Sequence, residues 1–324
     1  MELVRGLHNL NDQHYGCVLT IGKFDGVHLG HKAVLKQVIQ KAKALNVPAT
    51  VMVFEPQPEE FFAPHKAPAR LTRLREKYSL LRELGVDRLI CMKFDSKFSS
   101  QSAAYFVEHL LVKKLGVKYL VVGDDFRFGK GRVGDFAMLR AAGEQFGFDV
   151  VDTKSLQLKD ARVSSSLIRD ALQSADFERV KAYLGRPYSI SGKVIHGQKL
   201  GRSIGFPTAN IPLLRCTVPV SGVFAVVVKV LCEHVTRNDA DTDPRTFLGV
   251  ANVGKRPTVN GDKPQLEVHI FDLNADLYGK NLTVELHHKI RDEVKFASFE
   301  ALKEQISLDA DTARKWLAQP NVEK

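Results

Sequence analysis

The sequence predicts an α/β domain built on a parallel sheet, followed by an antiparallel β-barrel domain with a C-terminal helix. Three observations predict it. As far as about residue 184, apolar runs alternate with segments of helical spacing, the rhythm of strand–helix–strand crossovers. From Pro187 onward, strand-like runs follow one another, separated by Gly, Pro, Asn and Asp. The length, 324 residues, suits two domains of roughly 100–200 residues each. The change of rhythm at Tyr183–Pro187 sets expected domains at 1–185 and 186–324.

Residues 17–53 read as one βαβ unit. CVLTIG is a short apolar run ending in glycine, HKAVLKQVIQKAKALN carries helical spacing, and ATVMVFEP is a second apolar run closed by Pro56 and Pro58. REKYSLLRELG then predicts a helix, DRLICMKFD a strand, SAAYFVEHLLVKKLG a helix and KYLVVGDD a strand. Such alternation implies helices on both faces of the sheet. Ligands of these sheets sit at the C-terminal strand edge, where TIG, VFEP and VVGDD end.

In the second domain SISGKVIHG, GVFAVVVKVL, RTFLGVANVG, QLEVHIFDL and NLTVELHHKI are the strand-like runs. Residues 236–245, TRNDADTDPR, read as an exposed hairpin loop. SFEALKEQISLDADTARKWLA has helical periodicity with Ser298 as its N-cap, although Ala301 stands where a full capping box has Glu or Gln.

Composition narrows the function classes. No run of about 18 apolar residues occurs, so no transmembrane helix is expected. The N-terminus has no apolar h-region of a secretory signal. Cys17, Cys91, Cys216 and Cys232 form no CxxC, which points away from a disulfide framework or zinc cluster and toward a cytoplasmic protein. The net charge is +10 and unevenly spread. Up to Arg186 there are 29 basic and 21 acidic residues, a surplus of 8; the remainder has 18 against 16, a surplus of 2. A basic first half suits a polyphosphate substrate, nucleic acid or plain solubility.

Gly22-Lys23-Phe24-Asp25-Gly26-Val27-His28-Leu29-Gly30-His31 joins the first strand to the first helix. Its glycines permit a tight turn and close approach to a ligand. The turn offers free N–H groups and the positive end of a helix dipole, which together make a phosphate site. His28 and His31, three apart, share a face once the helix begins, and two imidazoles there can donate hydrogen bonds to phosphoryl oxygens. The plainer reading is two surface histidines, but the strand–Gly–helix context favours the site. Ser164, Ser165 and Ser166 precede LIRDAL as a good N-cap, and Arg169 can grip phosphate through its planar fork.

GKFDGVHLGH with VSSSLIR resembles the HxGH and SSTxIR signatures of the nucleotidylyltransferase superfamily, whose fold is Rossmann-like. More narrowly, FEPQPEEFF, RLTRLREKYSLL and VGDDFRFGKGRVGD are similar to the adenylyltransferase module of bacterial bifunctional riboflavin kinase/FMN adenylyltransferases. Lys23 stands where many relatives carry Asn, and Ser166 where Thr is usual. The resemblance implies attack of the FMN phosphate on the α-phosphorus of ATP, with pyrophosphate leaving. That nucleophile is already an anion, so positioning and charge stabilisation suffice. On this reading His28, His31 and Arg169 are catalytic. Gly22, Phe24, Asp25, Gly30, Ser164, Ser165 and Ser166 bind ATP, and Phe62, Asp125 and Phe128 hold the flavin. Core packing is nearly as ordinary a place for Phe128.

Three look-alikes fail on spacing. Gly129–Gly134 matches GxGxxG, but DDFRF separates it from the preceding strand. Gly123 to Lys130 has one residue too many for a P-loop, and Gly131 follows where Ser or Thr is needed. His287-His288 is not expected to bind metal, because adjacent strand residues point to opposite faces.

Gly197 to Asn210 lies between expected strands. Glycines 201 and 205 could wrap phosphates, while Thr208 and Asn210 offer neutral oxygens for Mg²⁺. Gly205-Phe206-Pro207-Thr208-Ala209-Asn210 looks like the GFPTAN signature of riboflavin kinases, followed in that family's order by GVFAVVV, GVANVGKRPT and LEVHIFD. The resemblance implies ATP binding at Gly201, Gly205, Pro207, Thr208 and Asn210, and Mg²⁺ at Thr208 and Asn210. Riboflavin's nucleophile is a neutral hydroxyl, which benefits from a proton acceptor. Glu267 matches the family's base; by alternation alone it would sit on a solvated outer face. Arg291 matches a position near the flavin, and is otherwise a surface charge.

The expected function is therefore FAD biosynthesis from riboflavin through FMN, with ATP and Mg²⁺. The alternative is a nucleotidylyltransferase for another phosphorylated acceptor, with a barrel that merely binds ligand. A nucleic-acid-binding role is not expected, because no aromatic–basic stripe is present. No feature of the sequence sets an oligomeric state.

Overall fold

The computed structural model describes residues 1–153, 157–158, 161–197, 205–215, 217–231, 245–256 and 263–319. The chain forms two compact units. One comprises Met1–Pro68 with Thr72–Ser165, the other Ala69–Leu71 with Ser166–Lys324.

In the first unit the strands are β1 (Glu2–Arg5), β2 (Cys17–Ile21), β3 (Ala49–Glu55), β4 (Arg88–Lys93), β5 (Val117–Val122) and β6 (Asp149–Asp152). They form one sheet in the order β1-β4-β3-β2-β5-β6. Every pairing is parallel. The expected βαβ rhythm is present, and β1 and β6 extend it at the two edges. A further ribbon pairs β7 (Gln157–Leu158) with β8 (Ala161–Arg162).

The helices are α1 (Leu29–Leu45), α2 (Pro58–Phe62), α3 (Leu74–Glu83), α4 (Ser96–Ser99), α5 (Ala103–Tyr105) and α6 (Phe136–Phe146). Residues Phe106–Lys114 continue α5 with π-helical bonding, as in Leu115 N to Leu110 O at 3.1 Å. The wider turn suits apolar residues four to five apart, and Phe106, Leu110, Leu111 and Leu115 pack against one side of the sheet with Leu19, Met52 and Leu120. On the other side Val51, Val53 and Leu89 meet Leu35 and Leu81, while Val18 and Val121 meet Val38 and Ala42. Burial on both faces explains why these strands read as unbroken apolar runs. Cys17 and Cys91 are buried free thiols; Cys216 and Cys232 lie outside the described residues.

The second unit carries α7 (Ser165–Gln173, from its second residue) and α8 (Phe177–Leu184). Its strands are β9 (Tyr188–Lys193), β10 (Ala209–Pro212), β11 (Gly222–Leu231), β12 (Arg245–Arg256), β13 (Lys263–Ile270) and β14 (Asn281–Arg291). All pairs are antiparallel, in the order β10-β13-β12-β11-β14-β9. A bridge from Ile195 to Asn210 brings the two outer strands together, so the barrel nearly closes. Phe224, Val226, Leu266, Val268, Val284 and Leu286 are buried. The expected hairpin loop at 236–245 falls almost wholly outside the described residues.

The final helix, α9 (Phe299–Leu317), is capped by Ser298, whose Oγ accepts from Ala301 N at 3.1 Å. Ala310, Ala313 and Leu317 pack on the alternate face of the barrel through Val223, Ala225 and Val250. Asp309, 3% exposed, accepts from Arg291 Nε at 2.9 Å and Nη2 at 2.7 Å, and from Gln305 Nε2 at 2.9 Å. Replacing Asp309 by Ala leaves the guanidinium at the end of β14 without its partner. We expect a loss of about 3–5 kcal/mol, read as a lower denaturation midpoint of the barrel.

Candidate active sites

The parallel sheet grows outward from β2 in both directions. The chain runs β2-β3-β4 on one side, then crosses to β5 and β6 on the other. The crevice between the ends of β2 and β5 is thus the switch point where such sheets bind ligands.

Gly22 to His28 fill the gap between β2 and α1. Phe24 and Val27 adopt positive φ of 47° and 44°, a conformation that side chains disfavour and that only surrounding contacts sustain. Those contacts centre on Asp25, which is 1% exposed. Its Oδ1 accepts from Thr72 N at 3.0 Å and from the Thr72 hydroxyl at 3.3 Å. Gly26 N donates to the same hydroxyl at 3.0 Å, and Ser165 Oγ donates to Asp25 O at 2.9 Å. Gly30 is required by close approach: a Cβ there would stand 3.0 Å from the His28 ring and 3.3 Å from Val163 O.

His28 caps α1, its Nδ1 accepting from His31 N at 3.3 Å. In the neutral ring the proton then resides on Nε2, which becomes a hydrogen-bond donor. The His28 and His31 rings stack at 3.6 Å, and Phe24 lies 5.0 Å from His31. His31 Nδ1 is shut from solvent without a hydrogen-bond partner. Burial, with added repulsion from His28 and Lys77, holds the His31 imidazole well below the usual histidine range. The structure therefore gathers Gly22, Phe24, Asp25, His28, Gly30 and His31 at one turn, which Ser165 joins through its hydrogen bond to Asp25 O.

Beside this turn opens a cavity of about 900 Å³, lined by Ile21, Gly22 and Lys23 after β2 and by Gly123 and Asp125 after β5. That volume suits a drug-sized ligand. Aromatic rings line it in succession. Phe62 meets Phe94 at 5.7 Å, Phe94 meets Phe98 at 5.8 Å, Phe98 meets Phe106 at 6.5 Å, and Phe106 meets Phe128 at 5.1 Å. Phe62 stands at the rim, 68% exposed, whereas Phe128 is 6% exposed and belongs to the core as well. The three residues matched to a flavin site, Phe62, Asp125 and Phe128, all line this one cavity. The Gly129–Gly134 segment forms a tight reversal closed by a Phe128–Gly134 bridge, well beyond the end of β5.

Ser164 directly precedes α7, Ser165 opens it, and Ser166 is exposed. In the second unit Arg169 Nε donates to Ala69 O at 2.6 Å.

On the barrel the sequence places Gly197 to Asn210 in a loop, but Ala209–Pro212 are strand β10, so Asn210 has a fixed register. It lies opposite Glu267 on β13, and Glu267 lies opposite Asn252 on β12. Leu266 and Val268 are buried, and Glu267 takes the alternate face, half-buried between two asparagine positions. Asn210 Oδ1 accepts from Gln265 Nε2 at 2.6 Å, and a Cβ on Gly197 would collide with its carboxamide. Thr208 is half-buried, while Gly205 and Pro207 are exposed. Pro207 O meets His269 Nδ1 at 2.9 Å. Gly201 lies outside the described residues. Arg291 is neither free nor a mere surface charge, being bound to Asp309 and set 5.5 Å from the Phe296 ring.

One sequence argument needs correction. The β11–β14 pairing shifts register between Ala225 and Val226, so His287 sits at an irregularity of the ladder. The rings of His287 and His288 consequently both approach Trp316, at 6.2 and 5.1 Å, and do not point to opposite sides. Among the described residues no cluster of three or more His, Cys, Asp or Glu is placed to hold a metal.

Sequence reasoning missed Thr72, which clasps Asp25, and Lys77, buried near His31; both look like ordinary polar residues of a helix start. It also missed Phe94 and Phe98, although the density of phenylalanine around residue 94 was a readable signal.

Residues 10–167 match the family model for FAD synthetase, and residues 184–317 that for riboflavin kinase. Curated relatives described as bifunctional riboflavin kinase/FMN adenylyltransferase cover nearly whole chains. The Escherichia coli strain K12 protein is 50% identical over 317 residues, with 98% of each chain covered. The Pseudomonas fluorescens protein is 50% identical over 325 residues and the full length of both. The chain belongs to the bifunctional riboflavin kinase/FMN adenylyltransferase family. A Streptococcus pneumoniae crystal structure described as a macrolide-efflux protein shares the fold, with a TM-score of 0.78 and 28% identity over 98% of this chain and all of that one. Among the described residues here, no helix is long and apolar enough to cross a membrane.

The lowered His31 value has a stability consequence. The unfolded chain binds a proton at this ring near pH 6.5 while the folded chain resists it, so stability is fully present above that pH and falls below it. His31→Phe is expected to flatten this acid-side decline in denaturation midpoints measured between about pH 7 and 5.

Proposed function

We propose that the chain converts riboflavin to FMN on the barrel and FMN to FAD in the first unit, using one ATP in each step. The carrying observation is the aromatic cavity that opens beside the Gly22–His31 turn, because its volume suits a flavin and it adjoins the turn read as a phosphate site. We assign the adenylyl-transferring module to residues 1–185 and the kinase to 186–324, in a cytoplasmic enzyme.

In adenylyl transfer the FMN phosphate attacks the α-phosphorus of ATP and pyrophosphate departs. An anionic nucleophile needs no base. What the chain supplies is alignment, through the cavity walls at Phe62, Phe128 and Asp125, and neutralisation of developing charge by hydrogen-bond donors. His28 serves as a donor through Nε2, and neutral His31 keeps the ring stack compact. Gly22, Phe24, Asp25 and Gly30 shape the turn. The roles of Ser164, Ser165, Ser166 and Arg169 as further phosphate contacts rest on motif resemblance.

In the kinase step Glu267 takes the proton of the ribityl hydroxyl as that oxygen attacks the γ-phosphorus of ATP and the bond to the bridging oxygen breaks, releasing ADP. Its half-buried position, in register with Asn210 on one side and Asn252 on the other, supports that role. Thr208 and Asn210 suit Mg²⁺: both present neutral oxygens, and the missing Cβ of Gly197 leaves the Asn210 carboxamide room. Mg²⁺ bound there would offset charge on the ATP phosphates. Gly201, Gly205 and Pro207 would border the nucleotide, and Arg291 would lie near the flavin as the end of a held β14.

Product analysis with riboflavin, ATP and Mg²⁺ separates the steps. Glu267→Gln should lower FMN formation about 10²–10⁴-fold and leave FMN-to-FAD conversion intact. His28→Ala should do the reverse, lowering FAD formation about 10²–10³-fold. Loss of both steps in either folded variant would overturn the two-site reading. FAD formation from FMN without any riboflavin phosphorylation by the wild type would instead favour a binding-only barrel.

A further inference from the structure

We propose that Lys23 and Glu59 form an exchangeable ion pair that selects flavins bearing a terminal phosphate, with Lys23 leaving Glu59 for the incoming phosphate. The proposal deepens, and rests on, the reading of the first-unit cavity as an FMN site. Lys23 follows Gly22 in the turn between β2 and α1, and Glu59 belongs to α2; both line the cavity. The ammonium therefore stands where the cavity meets the phosphate turn, the end at which a flavin's phosphate must lie if it is to react with a nucleotide there.

The pair is built to open. Among the described residues Lys23 Nζ is ion-paired with Glu59 Oε1, while Glu59 Oε2 is shut from solvent and has no hydrogen-bond partner. A carboxylate held half-satisfied gives up part of what it would gain in water. The side chains are 50% and 39% exposed, so water screens their attraction and the pair is weak. A phosphate monoester carries nearly two charges and more acceptor oxygens than the carboxylate, so it outcompetes Glu59 for the ammonium. A flavin without phosphate brings nothing to exchange, and the pair stays closed. Lys23 thus attracts FMN, and Glu59 opposes it both by holding Lys23 and by repelling the phosphate.

The exchange predicts effects of opposite sign, which a merely structural ion pair does not produce. In the full-length protein, Lys23→Met should raise the KM for FMN in FAD formation about tenfold or more, and Lys23→Arg should restore most of it. Glu59→Gln should lower that KM about two- to fivefold. Lumiflavin, which has the same ring system and no phosphorylatable tail, should inhibit competitively with the same Ki in all three variants. The KM for ATP should stay constant. A KM for FMN that is unmoved or moves the same way in both variants overturns the exchange, as does a parallel shift in the lumiflavin Ki. A shift confined to the KM for ATP assigns Lys23 to the nucleotide and also overturns it. Wild-type protein that makes FAD from FMN without competition by lumiflavin overturns the cavity assignment itself.

Discussion

A parallel sheet extended on both sides of its central strand has to open at the point of reversal, and the first unit is organised by that constraint. Because β3 and β4 lie to one side of β2 while β5 and β6 lie to the other, the segments leaving β2 and β5 diverge, and a crevice opens between their ends. Everything chemically notable in this unit borders that crevice. The turn at its edge adopts positive φ at two bulky residues, which isolated chain would not sustain. The Asp25 carboxylate, closed off from water and bound by the Thr72 amide and hydroxyl, holds the turn in place. Strain at the turn and burial of a carboxylate are two costs that the hydrogen bonds from Thr72 to Asp25, and from Gly26 N to the same hydroxyl, offset.

The barrel meets a different constraint. Strand alternation sends Leu266 and Val268 inward and leaves Glu267 on the other face, where a lone carboxylate would ordinarily be solvated. Here the register sets asparagines on both neighbouring strands, at positions 210 and 252, and these flank Glu267. Further along the same outer face α9 packs over Val223, Ala225 and Val250, anchored by the Arg291–Asp309 pair. One face of the nearly closed barrel is thus divided between an apolar helix seat and a polar site.

The fold class was legible because period and punctuation agree: buried parallel strands read as unbroken runs, and barrel strands as repeated short runs between turn residues. Strand β10 was not legible, since four residues following a proline and a glycine-rich stretch carry no period of their own, and their strand character comes from pairing with β13. The His28–His31 pair was visible as spacing, and the stack at 3.6 Å is what that spacing produces once α1 begins at Leu29. Thr72 was not visible, because its importance lies in a contact 47 residues away that no local pattern encodes. The adjacent histidines at 287 and 288 show the limit of the alternation rule: a register shift of one residue redirects a side chain, and sequence alone gives no sign of it.

The two sites also differ in the side chains their chemistry demands. Where the nucleophile arrives already charged, a carboxylate near the reacting oxygen would repel it; after β2 the crevice is lined by Ile21, Gly22 and Lys23, while Asp25 is buried in its own hydrogen bonds. Where the nucleophile is a neutral hydroxyl, a carboxylate is an asset, and Glu267 is kept half-buried among amides. The acid that does border the crevice on α2, Glu59, is paired with a lysine. An anionic ligand could approach that wall only if the lysine changes partners, so the arrangement of charges there bears directly on which flavin can enter.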